Sequence, residues 1–130
     1  MQVRTVWNQL QEFTSYQNNN FVRMDGSQKN GVSPKALLLS GLTACAGIDV
    51  VEILTKMRVP FSDFKIDAET EQTTESPKVF QEIQLVFKIK TAIENEEKVR
   101  KAINLSLEKY CGVAAMLRKN SPIVYTLILE

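Results

Sequence analysis

The sequence predicts one α+β domain over residues 1–130, with the element order βββαββααβ and a long central helix on an antiparallel-rich sheet. Three observations support this prediction. Short segments alternate apolar and polar residues at the strand period, longer segments follow helical patterns, and no repeat or low-complexity tract interrupts them. In addition, 130 residues suit one domain, and 44% hydrophobic with 24% charged residues is an ordinary globular composition.

The N-terminal part predicts three short strands and then a long helix. Alternation places the strands at 2–8, 12–16 and 21–24. Ser33 is a typical N-cap, and Pro34 suits the first helical position, where its missing N–H costs nothing. We expect the helix to end near Met57, because Pro60 disfavours helical geometry in the residue before it.

The C-terminal part predicts two long strands, two helices and a last strand. The strands lie around 63–68 and 83–89, with their hairpin at Ser76-Pro77. The second helix begins near Asn95 and has the inner stripe Val99, Ala102, Ile103, Ser106, Leu107 and Tyr110, and the third covers 112–119. The last strand, 123–129, is apolar on both faces and is therefore expected at the centre of the sheet.

Composition excludes several classes of function. Sixteen Lys and Arg against 15 Asp and Glu give a net charge of +1, which argues against a nucleic-acid partner. The chain has no histidine, so a Ser-His-Asp triad, a Cys-His pair and a histidine-bound zinc are all excluded. The chemistry must therefore use thiols, carboxylates, amines or guanidinium groups.

The N-terminus opens into strand-like sequence without an apolar signal core, so we expect a cytoplasmic protein with no membrane partner. The longest uncharged apolar stretch, 36–48, has 13 residues. A membrane span needs roughly 18, so this segment is interpreted as a buried helix.

The first helix is apolar almost all round, and such a helix must be surrounded on every side. It carries the small residues Ser40, Gly41, Thr43, Ala44, Ala46 and Gly47. One sheet covers one side only, so the small-residue face predicts a second helix in close approach. We therefore expect a homodimer.

Two cysteines are the candidate reactive groups. Cys45 shares a helical stripe with Asp49 and Glu52, and Cys111 precedes Gly112 at the start of the third helix, where the helix dipole favours a thiolate. Each cysteine could equally be a small buried hydrophobe, and the two carboxylates could simply mark where the helix meets solvent. As a pair, the cysteines suggest an attacking and a resolving thiol.

The sequence resembles the osmotically inducible protein C and organic hydroperoxide resistance (OsmC/Ohr) family, in an OsmC-like subgroup, over essentially the whole chain. The resemblance rests on Ser33-Pro34, Leu37-Leu38-Leu39, Gly41-Leu42, Cys45, Ile48-Asp49-Val50-Val51 and Glu108-Lys109-Tyr110-Cys111.

The resemblance implies two intertwined subunits with active sites at their interface. It implies that Cys45 attacks the O–O bond of a small apolar organic hydroperoxide and that Cys111 converts the resulting sulfenic acid to a disulfide. No bound cofactor is implied. An external dithiol, a lipoylated protein in some members, is the expected reductant.

The family also has a helper arginine on the strand before the long helix, three residues ahead of a glycine. Arg23 stands three residues before Gly26 and is the candidate. Many members carry Glu directly after the proline to orient this arginine, whereas this chain has Lys35. Either Glu52 or Glu108 substitutes for it, or the peroxidase geometry is weakened.

The leading hypothesis is a homodimeric thiol peroxidase that acts in oxidative-stress defence. A second hypothesis keeps the fold without turnover: a dimer that binds a small apolar ligand or a partner, with cysteines that are merely redox-sensitive. A third is carriage of sulfur or an acyl group on Cys45.

Overall fold

The computed structural model describes residues 1–130 and has the α+β element order βββαββααβ that the sequence predicts. The strands are β1 (Arg4–Gln9), β2 (Glu12–Gln17), β3 (Asn20–Asp25), β4 (Ser62–Gln72), β5 (Phe80–Lys90) and β6 (Ile123–Leu129). The α-helices are α1 (Pro34–Lys56), α2 (Glu96–Leu105) and α3 (Gly112–Arg118). A 3-10 turn, Ile93–Asn95, precedes α2, and a π turn, Ser106–Tyr110, follows it.

The chain forms two compact units, Met1–Ser40 and Gly41–Glu130, and the boundary between them in the sequence falls within α1. The expectation of one domain over residues 1–130 stays a prediction. In the N-terminal unit, β1, β2 and β3 form an antiparallel sheet in that order. The loop after β3 is closed by Asp25, whose carboxylate accepts hydrogen bonds from the Ser27 N–H and hydroxyl and from the Asn30 N–H. These bonds, led by the Ser27 hydroxyl, hold the pKa of Asp25 below its ordinary value.

Helix α1 begins and ends close to where the sequence predicts. The Ser33 hydroxyl oxygen accepts the Ala36 N–H at 3.2 Å, which satisfies one of the free N–H groups of the first turn. The last helical residue is Lys56, one residue before the predicted end. By length and composition alone α1 could cross a membrane, a test that the core helix of a soluble protein also passes.

The C-terminal unit contains a mixed sheet with the strand order β4-β5-β6. Strands β4 and β5 form an antiparallel hairpin, while β5 and β6 are parallel, with Ile83 opposite Ile123 and Ile89 opposite Leu129. The prediction that the last strand is central is wrong for the single chain: β5 is central and β6 is an edge strand. One face of β6 is exposed, and it includes the apolar side chains of Val124 and Ile128.

The buried face of the sheet meets α1 and α2. Helix α1 buries one stripe only, consisting of Leu42, Ala46, Val50 and Leu54. The stripe predicted for α2 is buried from Val99 through Leu107, but Tyr110 is 54% exposed, so its assignment to the core is wrong. The reason is the π turn, in which the Cys111 N–H bonds to the Ser106 carbonyl at 2.7 Å. This wider turn breaks the 3.6-residue period on which the prediction relied.

Candidate thiol site

The two cysteines come from different helical segments of the C-terminal unit. Cys45 lies in the middle of α1 and is half-buried, whereas Cys111 lies between the π turn and α3 and is 3% exposed. Both are free thiols. The Cys45 thiol is a hydrogen-bond neighbour of the Cys111 thiol. Residues 66 positions apart in the sequence therefore form a reduced thiol pair.

The environment of Cys111 favours the neutral thiol. Burial, followed by the neighbouring Cys45 thiol, raises the pKa of Cys111 from 9.0 to about 11. Its sulfur also caps α3 by accepting the Ala114 N–H at 3.3 Å. This contact lowers the pKa of Cys111, but it is outweighed by burial. The expectation that the start of α3 favours a thiolate at Cys111 is therefore wrong, because desolvation of the charged form outweighs the helix terminus.

A buried polar contact lies beside the thiol pair. The Ser106 hydroxyl is fully buried and donates a hydrogen bond to Asp49 Oδ2 at 2.8 Å. The same hydroxyl lies 3.3 Å from the Ala46 carbonyl oxygen. Asp49 follows Cys45 by one helical turn, so this predicted site residue is joined to the segment that carries Cys111.

The π turn is also held from α3. Arg118 Nη2 donates to the Leu107 carbonyl oxygen at 2.6 Å, which satisfies one of the carbonyls of the π turn. The guanidinium group therefore links α3, which follows Cys111, to the π turn, which precedes it.

An apolar groove lies between α1 and β4. Its volume is about 620 Å³, and it is lined by Thr43, Ala44, Gly47, Ile48, Val51, Glu52, Phe64 and Ile66. Ile48 is 61% exposed and Val51 39% exposed, although both belong to the most apolar helix of the chain. A Cβ on Gly47 would lie 3.2 Å from Ile66 Cδ1, so β4 already approaches the helix closely at this point.

The other predicted site residues lie in several places. Glu52 lines the groove, and Glu108 is exposed on the π turn. Arg23 lies on β3 of the N-terminal unit, opposite Thr14 in β2, and Lys35 lies in the first turn of α1. The roles of Arg23, Glu52 and Glu108 stay predictions. Among residues 1–130, no three His, Cys, Asp or Glu side chains converge where they could hold a metal ion.

Sequence reasoning missed two residues of this site. It placed Ser106 in the apolar stripe of α2 without a role, and it did not consider Arg118. The available signal was a lone hydroxyl among buried aliphatic residues, since such a group requires a hydrogen-bond partner. The partner itself could not be found in the sequence, because Asp49 lies 57 positions away.

By its fold and its thiol pair, the chain is an α+β protein with two reduced cysteines on neighbouring helical segments. Comparison with known proteins gives the family. Residues 26–126 match the family described as OsmC-like protein, and protein YhfA of Escherichia coli strain K12 is 37% identical over 99 residues. This match covers 75% of the chain and 74% of YhfA. The chain belongs to the OsmC-like protein family.

Solved structures share the fold over nearly the whole chain. An OsmC-like protein from Mycoplasma pneumoniae has a TM-score of 0.82 at 19% identity, covering 98% of this chain and 96% of that one. The organic hydroperoxide resistance protein OhrB of Bacillus subtilis has a TM-score of 0.65 at 18% identity, covering 97% and 96%. Membership of this family indicates a soluble protein.

Proposed function

We propose that this protein is a cytoplasmic, homodimeric thiol peroxidase that reduces organic hydroperoxides in oxidative-stress defence. The observation that carries the proposal is the thiol pair, in which a half-buried Cys45 neighbours a buried Cys111 whose pKa is raised. Membership of the OsmC-like family and the shared fold with an organic hydroperoxide resistance protein support it. A reducing cytosol suits cysteines that act as free thiols.

The proposed chemistry begins at Cys45. Its thiolate attacks one peroxide oxygen, so that an S–O bond forms, the O–O bond breaks and the released alkoxide takes a proton to become an alcohol. The sulfur is oxidised by two electrons to a sulfenic acid. A guanidinium group can stabilise the attacking thiolate, because it is charged at every physiological pH. Arg23 is the proposed helper, with Glu52 or Glu108 orienting it.

The second step uses the proton on Cys111. The Cys111 sulfur attacks the sulfenic sulfur of Cys45, the S–S bond forms, the S–O bond breaks, and the hydroxyl leaves as water with the Cys111 proton. A thiol with a pKa of about 11 carries this proton throughout the physiological range and does not compete for the hydroperoxide. An external dithiol, such as a lipoylated protein, then reduces the disulfide and returns both thiols.

The surroundings of Cys45 favour an apolar substrate. Its neighbours in the sequence are Ala44 and Ala46, and Ala44 also lines the apolar groove between α1 and β4. An alkyl or lipid hydroperoxide buries apolar surface in such a site, whereas hydrogen peroxide has none to bury.

The homodimer is proposed from the exposed faces of α1. The helix buries one stripe, while Ile48 and Val51 stay exposed and no atom lies within 4 Å of a Cβ built on Gly41. A second copy of α1 would cover this surface. Ile48→Glu should give a monomer in sedimentation velocity, whereas Lys101→Glu, on the exposed face of α2, should stay a dimer. A wild-type chain that sediments as a monomer at micromolar concentration would contradict the dimer.

The peroxidase is tested by mixing reduced protein with cumene hydroperoxide and measuring the intact mass after thiol trapping. We expect the wild type to lose two hydrogens and both trappable thiols. Cys45→Ser should keep its remaining thiol, and Cys111→Ser should accumulate a sulfenic acid that dimedone traps. Persistence of both wild-type thiols at excess hydroperoxide would refute the proposal. The non-catalytic dimer that binds a small apolar ligand or a partner would then be the leading alternative.

A further inference from the structure

Ser106 contacts both segments that carry the cysteines. Its side chain reaches α1, where the hydroxyl donates to Asp49 Oδ2 at 2.8 Å and lies 3.3 Å from the carbonyl oxygen of Ala46. Its main-chain carbonyl accepts the Cys111 N–H at 2.7 Å. One residue therefore joins the helix of Cys45 to the backbone of Cys111.

Neither contact is what an optimally packed helix would contain. Ser106 is fully buried in an otherwise apolar stripe, where alanine would fill the space without a hydroxyl to satisfy. The i to i+5 bond that it starts is a π turn, a rare arrangement that is frequent at functional sites. Both unfavourable features occur at the residue next to the thiol pair. Local departures from ideal folding of this kind are expected where function requires them.

We propose that Ser106 is a positioning residue that holds Cys45 and Cys111 in the orientation needed to form their disulfide. This proposal deepens the proposed function and relies on it only for the biological role of the disulfide. A disulfide has a narrow geometry, with an S–S length of about 2.05 Å and a dihedral angle near ±90°. Two thiols on separate helical segments meet this geometry only if the segments are fixed relative to each other. The Asp49–Ser106 hydrogen bond and the Ser106–Cys111 backbone bond fix them.

Removal of the hydroxyl should therefore affect disulfide closure more than the first reaction of Cys45. Ser106→Ala leaves the Asp49 carboxylate without its buried donor and frees α1 to shift against the π turn. A displacement of about 1 Å at reacting atoms can slow a reaction by roughly 100-fold. We expect closure to slow by at least about 10-fold.

The test uses an aromatic disulfide reagent, so it requires no hydroperoxide. Cys45 attacks the reagent, forms a mixed disulfide and releases one coloured aromatic thiolate. Cys111 then attacks the Cys45 sulfur of the mixed disulfide, forms the Cys45–Cys111 bond, and releases the second aromatic thiolate and a proton. The second release, followed in a stopped-flow spectrophotometer with one equivalent of reagent, measures closure alone. Mass spectrometry confirms the intramolecular bond.

The matched control is Ser121→Ala. Ser121 is also a buried serine of the C-terminal unit, 2% exposed, and its hydroxyl donates to the Phe80 carbonyl oxygen at 3.1 Å, with no bond to either cysteine segment. We expect the second release to slow in Ser106→Ala and to keep its wild-type rate in Ser121→Ala. Equal slowing in both variants, or wild-type closure in Ser106→Ala, would overturn the proposal.

A second pair of variants gives an answer if Ser106→Ala does not fold. Asp49→Asn keeps an oxygen that accepts the Ser106 hydrogen bond, whereas Asp49→Ala removes it. Closure should therefore be slowed by Asp49→Ala and largely retained by Asp49→Asn. Equal rates in the two variants would refute the positioning role, as would a wild-type protein that never releases the second thiolate. Failure of the wild type to consume hydroperoxide would refute only the peroxidase.

Discussion

The protonation state of Cys111 gives the sharpest prediction for stability. Its pKa is about 11 in the folded protein against an ordinary value of 9.0, because the sulfur is buried and neighbours the Cys45 thiol. In the unfolded chain the thiol returns to its ordinary value. Between these two values the unfolded state has lost the Cys111 proton while the folded state still holds it. Unfolding therefore becomes more favourable as the pH rises through this window.

The size of the effect follows from the shift. Each unit of pKa difference corresponds to about 1.4 kcal/mol, so a shift from 9.0 to about 11 changes the free energy of unfolding by at most roughly 3 kcal/mol. This stability is fully present below pH 9, and it is lost between pH 9 and 11. No part of it is lost at neutral pH, where the thiol is protonated in both states.

The perturbation is Cys111→Ser, which replaces the thiol by a hydroxyl that does not ionise in this range. Urea unfolding of both proteins, followed by circular dichroism in a phosphine reductant from pH 7 to 11, gives the difference in free energy of unfolding at each pH. Lysine and tyrosine titrations occur in both proteins and cancel in the difference. We expect the advantage of the wild type to fall by up to roughly 3 kcal/mol above pH 9. A difference that is flat with pH would refute the assignment of a buried, protonated Cys111.

Three further predictions concern packing and charge. Phe87→Ala should lower the free energy of unfolding by about 3 to 5 kcal/mol, because the ring is fully buried and packs edge-on against Tyr125. A loss below about 1 kcal/mol in a urea titration would contradict this. Gly41→Ala should weaken the proposed dimer in sedimentation equilibrium, and unchanged association would argue against close helix approach at that residue. Lys88→Met should raise the pKa of Asp67 towards its ordinary value in an NMR titration, because the hydrogen bond and the charge of Lys88 lower the pKa of Asp67. An unchanged pKa would contradict the ion pair.

The sequence predicted the order of the elements well because each element has a strong local signal. Ser33 and Pro34 mark the start of α1, and β6 occupies residues 123–129 as predicted. Which strands lie side by side is not a local property and is therefore harder to predict from the sequence. The apolar faces of β6 suggested a central strand, but pairing depends on which strand lies alongside, and only β5 pairs with β6 in the single chain.

The candidate site was only partly predictable for the same reason. Cysteines can be identified directly, and their helical surroundings follow from periodicity. The pKa of Cys111 could not be predicted from the start of α3, because the dominant cause is burial, which depends on tertiary packing. The π turn was also unpredictable. Its hydrogen bonds span five residues instead of four, and this change leaves no clear pattern in the amino-acid sequence. It moved Tyr110 to the surface and left Ser106 and Cys111 joined through their backbones.

The unequal environments of the two thiols favour a division of roles over two interchangeable cysteines. A nucleophile needs access and a thiolate, and Cys45 is the more accessible of the pair. A resolving thiol needs proximity to the first sulfur and a proton to give to the departing hydroxyl. Cys111 has both, because it neighbours Cys45 and its pKa is raised to about 11. If the roles were reversed, a buried, protonated sulfur would have to attack the hydroperoxide, and the more accessible thiol would only follow. The asymmetry therefore supports the proposed order, in which Cys45 reacts first and Cys111 second.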